Sequence, residues 1–118
     1  MEGRKTIIQT IKGTEENDMA IAIRYYSVLA ALNKIKLTER EIQLIAFLAI
    51  RGNVSYSTNR EEFCKLYSSS SGTIYNMLSR LRKMGILIKS NSKVKVHPSI
   101  MLDFNNDLLL QIKLTHGH

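Results

Sequence analysis

With 118 residues, 44% of them apolar and 23% charged, the chain is long enough for one hydrophobic core, too short for two ordinary ones, and unlike a disordered segment in composition. Its longest unbroken apolar run, Leu44 to Ile50, is seven residues where a membrane span needs roughly twenty, so no membrane partner is expected. The net charge of +7 is concentrated: Phe63 to Leu102 holds Lys65, Arg80, Arg82, Lys83, Lys89, Lys93 and Lys95 and no Asp or Glu, whereas the flanking regions are nearly balanced. A localised cationic stretch is the electrostatic footprint of a nucleic-acid reader, because neutralised phosphates release condensed counterions. The opening Met1-Glu2-Gly3-Arg4-Lys5 lacks the apolar core of a secretory signal, and a lone cysteine, Cys64, makes no internal disulfide. Both predict a cytoplasmic setting, or a virion for a viral protein.

In chain order, residues 5 to 12 are rich in β-branched side chains and stop at Gly13, the pattern of a short strand or an extended arm. From Thr14 the signal turns helical, with Thr14 as cap, Glu15, Glu16 and Asp18 in the first turn, and Met19, Ile23, Tyr26, Ala30 and Ile35 at helical spacing to about residue 36. The wide apolar face predicts a central core helix or one that also packs on a second copy, hence a homodimer through residues 14–36 and the chain ends. Thr38-Glu39-Arg40-Glu41 satisfies the capping-box pattern, Ile42, Ile45, Ala46, Leu48 and Ala49 supply core positions, and Gly52-Asn53 ends that helix.

Residues 54 to 57 fit one short strand, and a second capping box, Thr58-Asn59-Arg60-Glu61, opens a short helix with Phe63, Leu66 and Tyr67 inward. The serines 68 to 71 supply capping hydroxyls for a helix reaching Met84 and stopped by Gly85. Within it Ile74, Leu78 and Leu81 form the expected buried stripe with Met77 and Met84 at its edge, while Thr73, Asn76, Arg80 and Lys83 lie opposite. Residues 86–89 and 93–97 are strand-like runs joined by Ser90-Asn91-Ser92, a small hairpin with Val94 and Val96 inward and Lys93, Lys95 and His97 outward. After Pro98 the pattern weakens to an apolar patch at 100–102, a turn at 105–107 and a last strand at 108–114 that pairs with the first.

The order helix, strand, helix, serine turn, basic helix, basic hairpin is that of a winged helix-turn-helix domain. Its closest detail is Ser71-Gly72-Thr73-Ile74-Tyr75-Asn76-Met77-Leu78-Ser79-Arg80-Leu81-Arg82-Lys83-Met84-Gly85-Ile86-Leu87, which resembles the recognition helix and wing entry of bacterial MarR, GntR and PadR regulators over about residues 38–97. The fold class implied is α+β, mainly α: a single domain, 1–118, made of a winged-helix core, an extra N-terminal helix and short terminal strands. By the resemblance, Ser70, Ser71, Thr73, Tyr75 and Asn76 lie at or near base edges. Asn76 suits adenine, and Arg80 suits guanine or a phosphate. Lys83 would meet the backbone, Lys89, Lys93 and Lys95 a neighbouring minor groove or its phosphates, and Thr58 and Arg60 phosphates at a helix start.

Plainer roles stand beside these: Ser70 and Ser71 as caps, Tyr75 as a packing residue, exposed cations as solvated surface, Arg24, Arg40 and Arg51 as ordinary surface among acids, and Cys64 as a small semi-buried hydrophobe. His97, His116 and His118 lack a cysteine or carboxylate cluster at ligand spacing, so no metal or cofactor is expected. No nucleophile, base and orienting group recur at a diagnostic spacing and no phosphate-binding glycine loop occurs, which argues against an enzyme. The expected partner is double-stranded DNA, in the manner of a small transcriptional regulator. The alternative is a structural or replication adaptor of a viral or plasmid assembly, joined to protein partners through its terminal segments.

Overall fold

The computed structural model describes residues 5–10, 18–52, 57–91, 93–102 and 109–115. Within them the chain is α+β and mainly helical: α1 (Asp18–Leu32), α2 (Glu39–Arg51), α3 (Ser57–Tyr67), α4 (Ser71–Lys83), β1 (Leu87–Ser90), β2 (Lys93–Val96) and a short 3-10 helix, Pro98–Ile100. Among the described residues no helix is long and apolar enough to cross a membrane.

Local chemistry sets most element boundaries. Thr38 caps α2 through the expected box: its hydroxyl accepts the Glu41 N–H at 3.1 Å, and its own N–H donates to the Glu41 carboxylate at 2.8 Å. Gly52, at φ +93°, ends α2 and donates its N–H to the Leu48 carbonyl at 2.8 Å. The helix expected to reach residue 36 instead stops at Leu32, because Lys34 takes a left-handed φ of +56° and Ile35 folds back to donate to the Ala30 carbonyl. The Thr14 cap and its two glutamates lie outside the described residues, as do most of the strand expected at 54–57 and the turn at 105–107. Ser57 belongs to α3, so Thr58 sits inside the first helical turn rather than capping it.

A left-handed Ser68 (φ +53°), with the Ser69 N–H returned to the Cys64 carbonyl, closes α3, and Ser70 at once caps α4 by accepting the Thr73 N–H at 3.1 Å. At the far end of α4, Gly85 at φ +80° lets the Ile86 N–H reach the Leu81 carbonyl, which turns the chain sharply into β1. The antiparallel hairpin pairs Leu87 with Val96 and Ser90 with Lys93. Ser90 is therefore the last residue of the strand rather than part of the turn, and a left-handed Asn91 begins the loop.

The core lies where all four helices and the inner face of the hairpin converge, with Leu44, Ile45, Leu48, Phe63, Ile74, Leu81, Leu87 and Val96 fully buried. One helix face differs from expectation. Met77 is buried with Ile74 and Leu81, whereas Leu78 is only partly covered and Met84 is exposed. Leu66 of α3, expected inward, is also exposed. Residues 5–10 and 109–115 form no strand and are exposed, so the expected pairing of the chain ends does not occur among the described residues.

Candidate nucleic-acid interface

Helix α4 turns its buried stripe, Ile74, Met77 and Leu81, toward the core, and at 3.6 residues per turn this points Tyr75, Asn76, Ser79, Arg82 and Lys83 away from it. Tyr75 is 70% exposed, too open for a packing residue, and Asn76, Arg82 and Lys83 are exposed beside it. Arg82 had signalled itself only as one cation of the acid-free stretch. Its place one heptad after Tyr75 is the sequence clue that puts both on the same flank.

At the start of α4, Ser70, Ser71 and Thr73 are exposed. The Ser70 hydroxyl is within 2.9 Å of the Thr73 hydroxyl as well as accepting the Thr73 N–H, so Ser70 serves as a cap. In the hairpin, the β-strand alternation buries Val94 and Val96 and leaves Lys89 and Lys93 exposed and Lys95 partly so. Arg60 is partly exposed on α3, and the side chain of Thr58 lies outside the described residues.

Arg80 is engaged differently from its neighbours. One nitrogen of its guanidinium meets the Glu41 carboxylate and the other donates to the Lys36 carbonyl at 3.0 Å. Glu41 is only 4% exposed, although Thr38 and Glu39 beside it in the first turn of α2 are exposed. Burial pushes the carboxyl upward, but the Thr38 N–H and the Arg80 guanidinium outweigh it and hold the group below its ordinary range. The next residue back, Arg40, donates to the Tyr67 carbonyl at the end of α3 and lies over the Tyr67 ring, with 5.2 Å to the centroid. The first turn of α2 thus grips the end of α3 with Arg40 and the flank of α4 with Glu41. Nothing in the local pattern of Arg40 or Arg80 signalled these partners, which lie 27 and 39 residues away.

Cys64 is a free, partly buried thiol packed against the core. His97 uses its Nδ1 to accept the Ser99 N–H at 3.1 Å, a cap on the 3-10 helix. No cluster of three His, Cys, Asp or Glu able to hold a metal occurs among the described residues. The chain matches no family model, no curated protein and no solved structure.

Proposed function

We propose that this protein binds double-stranded DNA as a winged helix-turn-helix module, in the role of a small transcriptional regulator. Helix α3, its three-residue serine turn and α4 form the helix-turn-helix, and the β1–β2 hairpin is the wing. The reading rests on one observation: the exposed face of α4 carries Tyr75, Asn76, Arg82 and Lys83, the adjoining hairpin carries Lys89, Lys93 and Lys95, and no acidic residue interrupts the chain from Phe63 to Leu102. Asn76 contacts a base edge, Ser71, Thr73, Arg82 and Lys83 hold phosphates or adjacent edges, and the wing lysines follow the neighbouring backbone. Arg80 takes another part in this scheme, since its guanidinium is committed to Glu41 and Lys36: it sets the position of α4 against α2 rather than touching the bases.

Selection from a random duplex library at about 50 and 200 mM salt tests the proposal, because phosphate contacts weaken steeply over that range. An enriched motif that loses definition on Asn76→Ala supports it. Salt-sensitive binding without enrichment, or none, removes the regulator. The exposed apolar side chains Ile7, Ile8, Leu109 and Leu114 would then favour the adaptor reading, in which the chain ends meet a protein partner.

A further inference from the structure

Helix α1 has more apolar surface than its core contacts use. Ala22, Tyr26 and Ala30 are buried, and Met19, Ile23 and Leu29 pack beside them. A second stripe, Ile21, Tyr25, Val28 and Leu32, runs along the flank of the helix at spacings of four, three and four. Val28 is 40% and Leu32 47% exposed, Ile21 is partly exposed, and none of these three belongs to the core. Tyr25 sits at the seam between the two stripes, its ring set edge-on against Tyr26 with centroids 5.0 Å apart. Alternating spacings of three and four place side chains on one line of a helix and fit the complementary line of another helix by knobs-into-holes packing.

We propose that this seam pairs antiparallel with the same seam of a second copy of the chain. Aligning Ile21 with the second copy's Leu32 sets Tyr25 opposite the second copy's Val28, and the arrangement is its own image under a two-fold axis, as a closed dimer requires. Charge selects the direction. Asp18 stands at the N-terminal end of α1, preceded in sequence by Glu15 and Glu16, whereas Lys34 and Lys36 follow its C-terminal end and are exposed. Antiparallel pairing brings Asp18 beside the second copy's Lys34 and Lys36 and opposes the helix dipoles. Parallel pairing would bring like charges together at both ends. The seam spans only four side chains per copy, so the dimer is of the weak, concentration-dependent kind. The pairing does not depend on DNA binding.

Sedimentation equilibrium of the full chain, from the low micromolar to the millimolar range, tests the association. The expected result is a monomer–dimer equilibrium, weakened roughly tenfold or more by Val28→Glu or Leu32→Glu, both surface changes that leave the melting transition in place. Asp18→Lys weakens it too, and Lys34→Asp with Lys36→Asp restores it in that background. The direction is read on a Cys64→Ser background: Ile21→Cys and Leu32→Cys chains, mixed and oxidised, cross-link to each other, and neither cross-links to itself. A monomer throughout the range, a dimer indifferent to the glutamates, or self-cross-linking of Leu32→Cys would each overturn the proposal.

Discussion

Glu41 shows how much one side chain can decide. Its carboxylate serves as the partner of the Thr38 N–H and as the counter-ion of Arg80, which joins the capping of α2 to the placement of α4. Because the folded carboxyl ionises at lower pH than a free one, the native state binds fewer protons than the unfolded chain. The stability it contributes is present above the ordinary carboxylate range and lost as pH falls through the depressed folded value. Glu41→Gln should therefore lower stability by about 1 to 3 kcal/mol near neutral pH and flatten the acid limb of a denaturation-versus-pH series. Arg80→Ala should cost a similar amount, about 1 to 3 kcal/mol, rather than the larger figure for a fully enclosed pair, since water reaches the half-exposed guanidinium side. The two losses should not add in the double variant, which urea denaturation of the four proteins would establish.

At the scale of elements, the starts of α2 and α4 were legible because an N-cap is a local affair: Thr38 and Ser70 act on N–H groups three residues away, whereas the Thr58 box did not open α3, which begins at Ser57. Ser70→Ala should destabilise the protein by about 0.5 to 2 kcal/mol, measured by thermal or denaturant unfolding. Helix ends were harder. Gly52 and Gly85 announced two, but Lys34 and Ser68 adopt left-handed backbone without being glycine or asparagine, so the last turns of α1 and α3 follow from packing rather than residue type. The buried face of α4 lies one position from the one its spacing predicts. Leu78 and Met77 both fit a helical stripe with Ile74 and Leu81, and the rotation of the helix against the core buries Met77. Ile74→Ala should accordingly cost about 2 to 5 kcal/mol and Leu78→Ala clearly less, a ranking that melting temperatures can check.

Across the whole molecule, long-range ties hold α1 and the segment after the hairpin to the core. The Tyr26 hydroxyl donates to the Ile100 carbonyl at 2.9 Å, bridging 74 residues of sequence, and burial pushes its phenol pKa upward. Tyr26→Phe keeps the ring in place and removes this bond, so a loss of about 1 kcal/mol is expected, with faster amide exchange around residues 98–102 as the local readout. On the candidate DNA face, Lys89→Ala should weaken binding to every duplex alike and reduce the salt slope by about 1, whereas Asn76→Ala should change which duplex is preferred; fluorescence titration across salt concentrations separates the two.

The sequence by itself determined the helical segments, the hairpin alternation and the placement of an acid-free cationic stretch on its last helix and strands. Each depends on spacing or on contacts between near neighbours, and those are written along the chain. Only the tertiary structure decided that Arg80 turns back to a buried glutamate while Arg82 and Lys83 stay at the surface, that Met77 is buried while Leu78 packs at the margin of the core, that the described residues of the chain ends, 5–10 and 109–115, do not pair, and that α1 keeps a second apolar seam uncovered. The reason is common to all four: a residue's exposure follows from which distant element arrives beside it and at what rotation, and periodicity fixes a face without saying what will meet it.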